Sequence, residues 1–396
     1  MASVKPPKHV RAVLVALQSR GYPAYLVGGC VRDMLLGVRA QHWDICTGAQ
    51  PEQIAEVFPG ACMPGPRSDA VTVLIDSHEL ELTSFRSSSL DPGSGEPDMV
   101  RFIGDLTAEL SRRDFTMNAV ALSADGMLAD PFGGVEDIRR QLVRCVGVPE
   151  ERFAEDPLRM FRALRFSARL GFTVDLFTME GIRARAPLAA ELPAERVRDE
   201  LEKTLLTPSP ETVFSLVELG LLTAYLLPAP PDPVLLHRLA LLPRRAQYRW
   251  AGLCHVLLTA GSISSPERFL NTLRLDPHTV RMAEDCCEML ASELPQNDLN
   301  KKRWLRRYGV ETVRCALSCR DVFTGGQESL ELRRILKSGE CFSLKHLAVG
   351  GSDLLALGLH GRAAGEMLDF LLEYVMEYPE NNRRELLLSL AAGTEE

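Results

Sequence analysis

The sequence lacks several features that would point to particular classes of protein. Its 10 cysteines include no Cys-x-x-Cys pair, so the ligand spacing typical of a zinc site is missing. Many unpaired thiols suit a reducing compartment better than a secreted, disulfide-linked fold. No apolar run reaches the length of a membrane span, and the first ten residues lack the apolar core of a signal peptide. These absences predict a cytoplasmic protein that does not enter a membrane.

An excess of positive charge is also missing. The formal net charge is −8 at pH 7, which argues against a protein that coats nucleic acid non-specifically. A local basic surface remains compatible with this total, so nucleic acid is not excluded as a partner. The 396 residues exceed one typical domain, and 46% hydrophobic with 25% charged residues is an ordinary globular mixture.

Residues 25–47 are the most informative stretch. A short apolar strand leads into Gly28-Gly29, a helix follows, and a second strand carries Asp44. Two adjacent glycines allow a ligand to approach the backbone, and the start of a helix favours an anion. A carboxylate on the next strand is suited to a metal ion beside that anion. This pattern favours a nucleoside triphosphate with Mg²⁺, although an ordinary tight turn explains the glycines equally simply.

The chain changes character near residue 149. Before it, periodicity predicts helices over 8–20, 51–58 and 106–122, and an antiparallel hairpin formed by 71–75 and 79–85. After it, strand patterns almost vanish and long amphipathic segments follow, at 150–170, 194–206, 210–226, 234–258, 265–293, 301–319, 327–337 and 364–378. The predicted fold class is therefore α+β, with a small α/β head followed by an extended all-α remainder.

Three further groups of residues carry chemistry. Glu81, on a strand with an apolar pattern, is either exposed or an oxygen ligand that joins Asp44 at a metal. Asp114 could cap a helix, but the neighbouring arginines and amide also fit contacts to triphosphate and ribose. That second group consists of Arg112, Arg113, Asp114 and Asn118.

The third group is Glu155-Asp156-Pro157-Leu158-Arg159. Glu155 and Arg159 have the spacing of a simple ion pair within a helix. Asp156 and Arg159, three residues apart, offer a carboxylate acceptor beside a guanidinium donor. Such a pair matches the Watson–Crick edges of cytosine and adenine, where an amino group adjoins an acceptor nitrogen. Guanine and uracil reverse that pattern and would leave buried polar groups unpaired.

These motifs occur in one order, together with Asp130-Pro-Phe-Gly-Gly134, and the chain resembles the bacterial class II CCA-adding tRNA nucleotidyltransferases. The resemblance implies a head (1–147), a neck that reads the base (148–207), a body (208–300) and a tail that binds tRNA (301–396). It implies transfer of nucleotides from CTP and ATP to the 3′ acceptor arm of tRNA by a two-metal, in-line reaction that uses Mg²⁺ or Mn²⁺. The absence of any His-Asp dipeptide argues against an appended metal phosphohydrolase domain.

The resemblance also implies a role for each matched residue. The catalytic and metal-binding residues would be Asp44, Glu81 and His42. The nucleotide-binding residues would be Gly28, Gly29, Arg32, Asp33, Arg112, Arg113, Asp114, Asn118, Asp156, Arg159 and Arg162. Among these, Asp156 and Arg159 would act as the protein template for C and then A.

Two positions depart from the family pattern. The family carries Asp-x-Asp on the second strand, whereas this chain has His42-Trp43-Asp44. Imidazole is a poor ligand for Mg²⁺, so a large loss of rate is expected unless Glu81 or Mn²⁺ compensates. The loop 87–98 carries Gly95-Glu96 where relatives usually have arginines, which puts the switch from C to A addition in doubt.

Three functions therefore stay open from sequence. The first is a CCA-adding enzyme, the second a relative restricted to C, A or poly(A) addition, and the third an impaired paralogue that binds tRNA or nucleotide without transfer. Two basic clusters in the helical part are each a tRNA contact or a solvated face. They consist of Lys301, Lys302, Arg303, Arg306 and Arg307, and of Arg244, Arg245, Tyr248 and Arg249.

Overall fold

A computed structural model describes residues 4–64, 70–75, 77–87, 101–102 and 106–393. The chain divides into two compact units. The first comprises Met1–Pro193 with Leu219–Leu221, and the second comprises Ala194–Glu218 with Leu222–Glu396. Within the described residues, every helix is too short or too polar to span a lipid bilayer. The division into head, neck, body and tail at residues 147, 207 and 300 stays a prediction.

The first unit is built on a mixed β-sheet. Its strands are β1 (Ala24–Val27), β2 (Asp44–Thr47), β3 (Cys62–Pro64), β4 (Ala70–Ile75), β5 (His78–Ser84), β6 (Arg86–Ser87), β7 (Arg101–Phe102), β8 (Ala121–Leu122), β9 (Leu128–Ala129), β10 (Leu142–Val143) and β11 (Thr173–Val174). Seven strands form one sheet in the order β3-β4-β5-β2-β1-β8-β9, while β6 pairs with β7 and β10 with β11. The predicted hairpin is confirmed as antiparallel β4 and β5, and β5 also runs parallel to β2.

Helices cover this sheet and extend beyond it. They are α1 (Lys8–Ser19), α2 (Gly29–Leu35), α3 (Pro51–Val57), α4 (Leu106–Ser111), α5 (Gly134–Arg140), α6 (Pro149–Glu155), α7 (Leu158–Leu170) and α8 (Leu176–Arg185), with 3-10 turns at Thr116–Asn118 and Ala186–Glu191. The amphipathic pattern predicted α1 correctly, because its apolar face is buried through Val10, Val13, Leu14 and Leu17.

Alternation along the strands separates two cores. Ile45 of β2 and Leu82 of β5 pack in the larger core, together with α1. Cys46 of β2 packs with Val27 in a smaller core. Side chains alternate between the faces of a sheet, so Asp44 and Cys46 lie on the same face. This face of the sheet carries the carboxylates described below.

Two predicted helices of this unit are wrong in extent. The helix over 106–122 ends at Ser111, because Phe115 pairs with Cys145 in a β-bridge and the chain must be extended there. The single helix over 150–170 is interrupted at Asp156, which has an extended backbone before Pro157. Tertiary pairing overrides periodicity in the first case, and proline stereochemistry does so in the second.

In the described part of the second unit, the regular secondary structure consists of helices joined by loops. Its helices are α9 (Ala194–Leu205), α10 (Thr212–Glu218), α11 (Pro233–Arg238), α12 (Ala246–Thr259), α13 (Pro266–Thr272), α14 (Pro277–Ala291), α15 (Asp298–Tyr308), α16 (Val310–Thr324), α17 (Glu328–Ser338), α18 (Gly351–Ala356), α19 (Gly361–Glu377) and α20 (Arg384–Ala392), with 3-10 turns at Leu239–Leu241, Leu344–His346 and Pro379–Asn381. Three predicted segments each split into two helices. Two of the breaks contain Pro243 or Gly309, and the third lies directly before Pro277, the first residue of α14.

Three cysteines of this unit come together despite their unhelpful spacing. The sulfur atoms of Cys286, Cys315 and Cys319 lie within 4.8 Å of one another, and all three side chains are buried. A search for Cys-x-x-Cys misses them because Cys286 is on α14 and the other two are on α16. Three thiols fall short of the four ligands that a structural zinc site typically has.

One glycine of the Asp130-Pro-Phe-Gly-Gly134 motif is required by close packing. A Cβ atom at Gly134 would lie 2.0 Å from the carbonyl oxygen of Thr116. We expect Gly134→Ala to lower the free energy of unfolding by about 1–3 kcal/mol, because neighbouring backbone must move. Thermal melting followed by circular dichroism measures the effect. Gly365→Ala, in open space on α19, is the matched control and should melt at the same temperature as the natural protein or slightly above it, because alanine favours a helix. Equal melting of all three proteins would contradict the expectation.

Candidate nucleotide-binding site

One cleft of the first unit gathers most of the predicted site residues. It encloses about 430 Å³ and is lined by Gly28, Gly29, Arg32, Asp44, Arg112, Arg113, Asp114, Asn118, Asp156, Arg159, Arg162, Arg165, Phe166 and Arg169. Seven arginines face three aspartates there. Because arginine binds phosphate oxygens through charge-assisted, often bidentate hydrogen bonds, this lining suits a polyphosphate. Of the predicted residues, Asp33, His42 and Glu81 do not line this cleft.

Gly28 provides the open floor of the cleft. Its φ of +80° favours glycine, and a Cβ atom there would lie 3.2 Å from Nη1 of Arg113 and 3.5 Å from Oδ2 of Asp44. A side chain would therefore occupy the space between a guanidinium and a carboxylate. The absence of that side chain lets a ligand reach both groups at once.

A hydrogen-bonded network holds several side chains that line the cleft beside Gly28. Arg32 is buried, and it donates through Nε and Nη2 to Asp33 and through Nη1 to Oδ1 of Asn118 at 2.7 Å. Asn118 donates in turn to Oδ1 of Asp114 at 3.0 Å. Oδ2 of Asp114 accepts from Nε and Nη2 of Arg162 on α7 at 2.9 and 2.5 Å. The network joins α2 and α7 through Asp114, so Asp114 is not simply a helix cap.

The charge of Asp114 is set by its partners. Burial alone would raise the pKa of this carboxyl. The positive charge of Arg162 and the hydrogen bonds from Asn118, Arg162 and the Phe115 amide outweigh burial and hold the pKa below its ordinary value. Asp114 is therefore an anion at neutral pH, and it accepts hydrogen bonds on both oxygens.

Phe166 is a cleft residue that our sequence prediction did not include. The guanidinium carbons of Arg32, Arg162 and Arg165 lie 5.2, 5.5 and 4.3 Å from the centre of its ring. Contacts at this range between a guanidinium and an aromatic face stabilise the cation. The available signal was an aromatic residue among Arg162, Arg165 and Arg169 on one helix. Phe166 holds cleft arginines near one another.

Arg112 and Arg113 share one acidic partner. Nη1 of Arg112 donates to Glu109 at 3.1 Å, and Nη2 of Arg113 donates to the same carboxylate at 3.4 Å. Glu109 is buried beneath them at the end of α4. Both arginines also line the cleft.

Asp156 and Arg159 lie at the junction of α6 and α7. Oδ1 of Asp156 accepts from the amide of Leu158 at 3.3 Å. Nη1 of Arg159 donates to Glu155 at 3.0 Å, which confirms the predicted ion pair four residues apart. Asp156 and Arg159 both line the cleft, so the carboxylate and the guanidinium face one ligand space.

Asp44 and Glu81 are direct neighbours across two parallel strands. The register of β2 and β5 pairs Asp44 with Glu81, and Ile45 with Leu82. Both acidic side chains therefore leave the sheet on the same face, and both are only partly buried. Their oxygens are the donors that a hard divalent cation prefers. His42 is exposed and lies in the irregular segment before β2, outside the cleft lining.

The two basic clusters of the second unit are tied to the protein itself. Lys302 is buried and donates to the carbonyl oxygen of Met376 at 2.9 Å, with Glu340 as its ion-pair partner. The remaining arginines of this cluster pair with acids, namely Arg303 with Glu373, Arg306 with Asp369 and Arg307 with Glu288. These contacts weaken the interpretation of this cluster as an open phosphate-binding face.

The other cluster behaves in the same way. Arg249 is buried and donates to the carbonyl oxygens of Pro243, Leu205, Ala240 and Leu242. Arg244 donates to the carbonyl oxygen of Leu206 at 2.7 Å, and Arg245 pairs with Glu311 at 2.8 Å. The cluster therefore secures loops and helices of the second unit.

Comparisons with known proteins agree with this geometry. Residues 24–144 match the family model of the Poly A polymerase head domain, and residues 171–230 match that of the probable RNA and SrmB- binding site of polymerase A. The CCA-adding enzyme of Geobacillus stearothermophilus is 35% identical over 395 residues, which cover 96% of each chain. The CCA-adding enzyme of Geobacillus sp. strain WCH70 is 35% identical over 361 residues, 89% of this chain and 87% of the relative.

A solved structure extends the likeness to the whole fold. The crystal structure of the Bacillus stearothermophilus CCA-adding enzyme in complex with CTP superposes with a TM-score of 0.83 at 33% identity, covering 98% of both chains. The chain belongs to the CCA-adding enzymes. Members of this family are metal-dependent nucleotidyltransferases. The α+β fold predicted from the strand and helix patterns is confirmed, with a mixed-sheet head and a helix-rich remainder.

The floor of a CCA-adding enzyme cleft can be tested at Gly28. We expect Gly28→Ala to weaken CTP binding about tenfold or more, because the methyl group would displace the Arg113 guanidinium or the Asp44 carboxylate. Gly365→Ala is the control, since Gly365 is on α19, away from the cleft lining, and its Cβ would meet nothing within 4 Å. Equilibrium dialysis with labelled CTP measures both variants, and equal affinities would contradict this account of the floor.

The Asp114 network predicts a pH dependence of stability. Because the pKa of Asp114 is lower in the folded state, its anion stabilises the fold above the ordinary value of 3.8. That stabilisation is lost as the pH falls through the lower folded value. We expect Asp114→Asn to lower the free energy of unfolding by about 2 kcal/mol at neutral pH, with a difference that shrinks in strong acid.

Urea denaturation at a series of pH values measures this difference. Asp125→Asn is the control, because Asp125 is also a hydrogen-bonded carboxylate with a lowered pKa but is exposed. By the same linkage Asp125→Asn should also differ from the natural protein, but the difference should be much smaller, because solvent screens an exposed carboxylate. A difference for Asp114→Asn that stays constant down to about pH 2 would show that the ionised form is not what stabilises the fold.

Proposed function

We propose that this chain is a tRNA nucleotidyltransferase that builds or repairs the 3′-terminal CCA with CTP and ATP. The observation that supports it best is the single cleft in which phosphate-binding arginines, Asp44 and the Asp156–Arg159 pair face one ligand space. The reaction is attack of the tRNA 3′-hydroxyl on the α-phosphorus, with pyrophosphate leaving. Such a transfer needs no covalent enzyme intermediate, which agrees with the absence of a nucleophile in the proposed site.

The arginines of the cleft have the role of binding and orienting the triphosphate. Arg32 is held by Asp33 and Asn118, and Arg113 by Glu109, so their guanidinium groups are positioned before a ligand binds. A preformed set of cations loses little free energy to reorganisation when it binds an anion. Gly28 leaves room for the phosphates beside them. Asp114 is proposed to contact the nucleotide, including its ribose.

Asp44 and Glu81 would hold the metal. Mg²⁺ is the proposed ion, because carboxylate oxygens on adjacent strands match its preference. In such transfers, bound divalent ions supply activation of the attacking hydroxyl and neutralisation of the leaving group. His42 stands where the family carries a first carboxylate, and an imidazole there favours Mn²⁺ over Mg²⁺.

Asp156 and Arg159 are proposed to read the base. The carboxylate accepts from the exocyclic amino group of cytosine or adenine, and the guanidinium donates to the adjacent acceptor nitrogen. A uracil or guanine would present the opposite pattern and leave polar groups unpaired, which strongly disfavours binding. One pair of side chains therefore serves both substrates.

The tRNA acceptor arm is proposed to bind the helical body and tail, in the cytoplasm. The two basic clusters singled out from the sequence are largely neutralised by partners within the second unit. Contacts to the tRNA backbone are therefore better sought among other cations. Of the loop 87–98, proposed to take part in switching from C to A, Ser87 belongs to β6 and residues 88–98 lie outside the described residues.

A second candidate function rests on His42. An enzyme that has lost one metal carboxylate would bind nucleotide and tRNA without transfer. A relative restricted to C, A or poly(A) addition is the remaining possibility, favoured by Gly95-Glu96 in the loop. The retained Asp44, Arg113 and Asp156–Arg159 side chains in one cleft oppose the impaired paralogue.

One assay separates these functions. The natural protein is incubated with tRNAs that end before CCA, after C and after CC, with labelled CTP or ATP and either Mg²⁺ or Mn²⁺. We expect complete CCA addition, and we expect His42→Asp to raise the rate in Mg²⁺ about tenfold or more, because a carboxylate replaces a poor ligand. Asp44→Asn is the inactive control.

The outcomes are distinct. No incorporation by the natural protein in either metal, with rescue by His42→Asp, would establish the impaired paralogue. Incorporation of only one nucleotide would establish the restricted relative. Full activity in Mg²⁺ that does not respond to His42→Asp would show that position 42 takes no part in the metal site.

A further inference from the structure

Arg152 lies just behind the cleft, and the nucleotide-binding roles proposed above do not include it. It belongs to α6, its side chain is 12% exposed, and it is not among the residues that line the cleft. Its guanidinium nevertheless reaches the backbone that carries cleft residues. Nη2 donates to the carbonyl oxygens of Arg112 at 2.8 Å and Arg113 at 3.2 Å. Nη1 donates to the carboxylate of Glu155.

Arg159 uses the same acceptors. Its Nη1 donates to Glu155 at 3.0 Å and to the carbonyl oxygen of Arg152 at 3.0 Å. Its Nη2 donates to the carbonyl oxygen of Arg112 at 3.4 Å. In this state, the guanidinium proposed to read the base is engaged with the protein. Contact with a base requires Arg159 to give up some of these hydrogen bonds.

Each acceptor that Arg159 would leave has a second donor. Glu155 and the carbonyl oxygen of Arg112 keep their hydrogen bonds from Arg152. The carbonyl oxygen of Arg152 keeps the amide of Asp156 at 3.3 Å. A part-buried carbonyl oxygen left without a donor is costly, whereas one that retains a donor is not, and the exposed carboxylate of Glu155 is also solvated by water. Arg159 can therefore turn to a base without leaving an unpaired group behind.

We infer that Arg152 is a positioning residue for base selection, a role that rests on the proposed reading of the base by Arg159. Arg152 holds Glu155 and the backbone of Arg112 and Arg113 in place, and it thereby releases Arg159 for the nucleotide. Its contact with the carbonyl oxygen of Arg113 also ties the α6–α7 junction to the phosphate-binding segment. The residues proposed to read the base and those proposed to bind the phosphates are then positioned by the same hydrogen bonds.

The test replaces the donors of Arg152 while keeping its bulk. In Arg152→Met, Glu155 and the Arg112 carbonyl would lose the hydrogen bonds from Arg152 and keep those from Arg159, so they would compete more strongly with the base for the Arg159 guanidinium. We expect the preference for CTP and ATP over UTP and GTP, measured as the ratio of kcat/KM values, to fall about tenfold or more. Arg152→Lys, which restores one cationic donor group, should recover part of the preference.

A second substitution distinguishes this role from general damage to the fold. Glu155→Gln removes the charge that would retain Arg159, so Arg152→Met with Glu155→Gln should regain part of the preference lost in Arg152→Met. Arg139→Met is the matched control, because Arg139 is an exposed arginine paired with Glu136 on α5. It should leave the preference unchanged. Thermal melting of every variant accompanies the kinetics.

Equilibrium binding of labelled CTP and UTP separates this inference from the proposed function. If the natural protein binds CTP in preference to UTP but transfers neither, the proposed transferase activity fails, and a reduced CTP preference in Arg152→Met still supports the inference. An unchanged CTP preference in Arg152→Met would overturn it. If Arg152→Met lowered kcat/KM equally for CTP, ATP, UTP and GTP, and the double variant showed no recovery, Arg152 would have only a structural role. That result would also overturn the inference.

Discussion

The site depends on the hydrogen bonds that the buried carboxylate of Asp114 accepts. This carboxylate accepts hydrogen bonds from the Phe115 amide, the Asn118 side chain and the guanidinium of Arg162. The first two donors belong to the segment at and just before the 3-10 turn Thr116–Asn118, and the third belongs to α7. The side chain of Asn118 in turn accepts a hydrogen bond from Arg32 on α2. Because the carboxylate is buried, loss of one donor is not compensated by water. The cleft walls are therefore fixed relative to one another through a single anion.

This arrangement explains how many arginines can lie side by side before a ligand binds. Asp33, Glu109 and Glu155 each accept from a cleft arginine, and Phe166 lies against others. The protein therefore offsets most of the repulsion among the cations while it leaves donors directed at the cleft. A triphosphate that enters meets a set of charges already in place, which is how preorganised sites gain both affinity and rate.

Sequence alone predicted the local features well. Periodicity identified α1 and the β4–β5 hairpin, and the ordered motifs named most of the residues that line the cleft. The strand pattern around Glu81 suggested this residue as a partner of Asp44, and the two residues pair across β2 and β5. The predictions from sequence failed where contacts between residues far apart in the chain determine the structure. The helix after Leu106 ends early because Phe115 pairs with Cys145. The basic face on α15 proved to be neutralised because Arg306 meets Asp369, 63 residues later in the chain. Arg152 was missed because the contacts that tie it to the cleft are to the backbone carbonyl oxygens of Arg112 and Arg113, which no side-chain pattern reveals.

The fold and the activity depend on different parts of the region around Asp44. The register of β2 with β5 and the burial of Ile45 and Leu82 hold Asp44 beside Glu81. His42 is exposed in the irregular segment before β2, so its identity contributes little to that packing. A change from carboxylate to imidazole at position 42 can therefore alter the charge and ligand type of the proposed metal site while the cleft keeps its shape. The same independence means that an intact cleft supports nucleotide binding without guaranteeing transfer, and only the metal dependence of the reaction reports on His42.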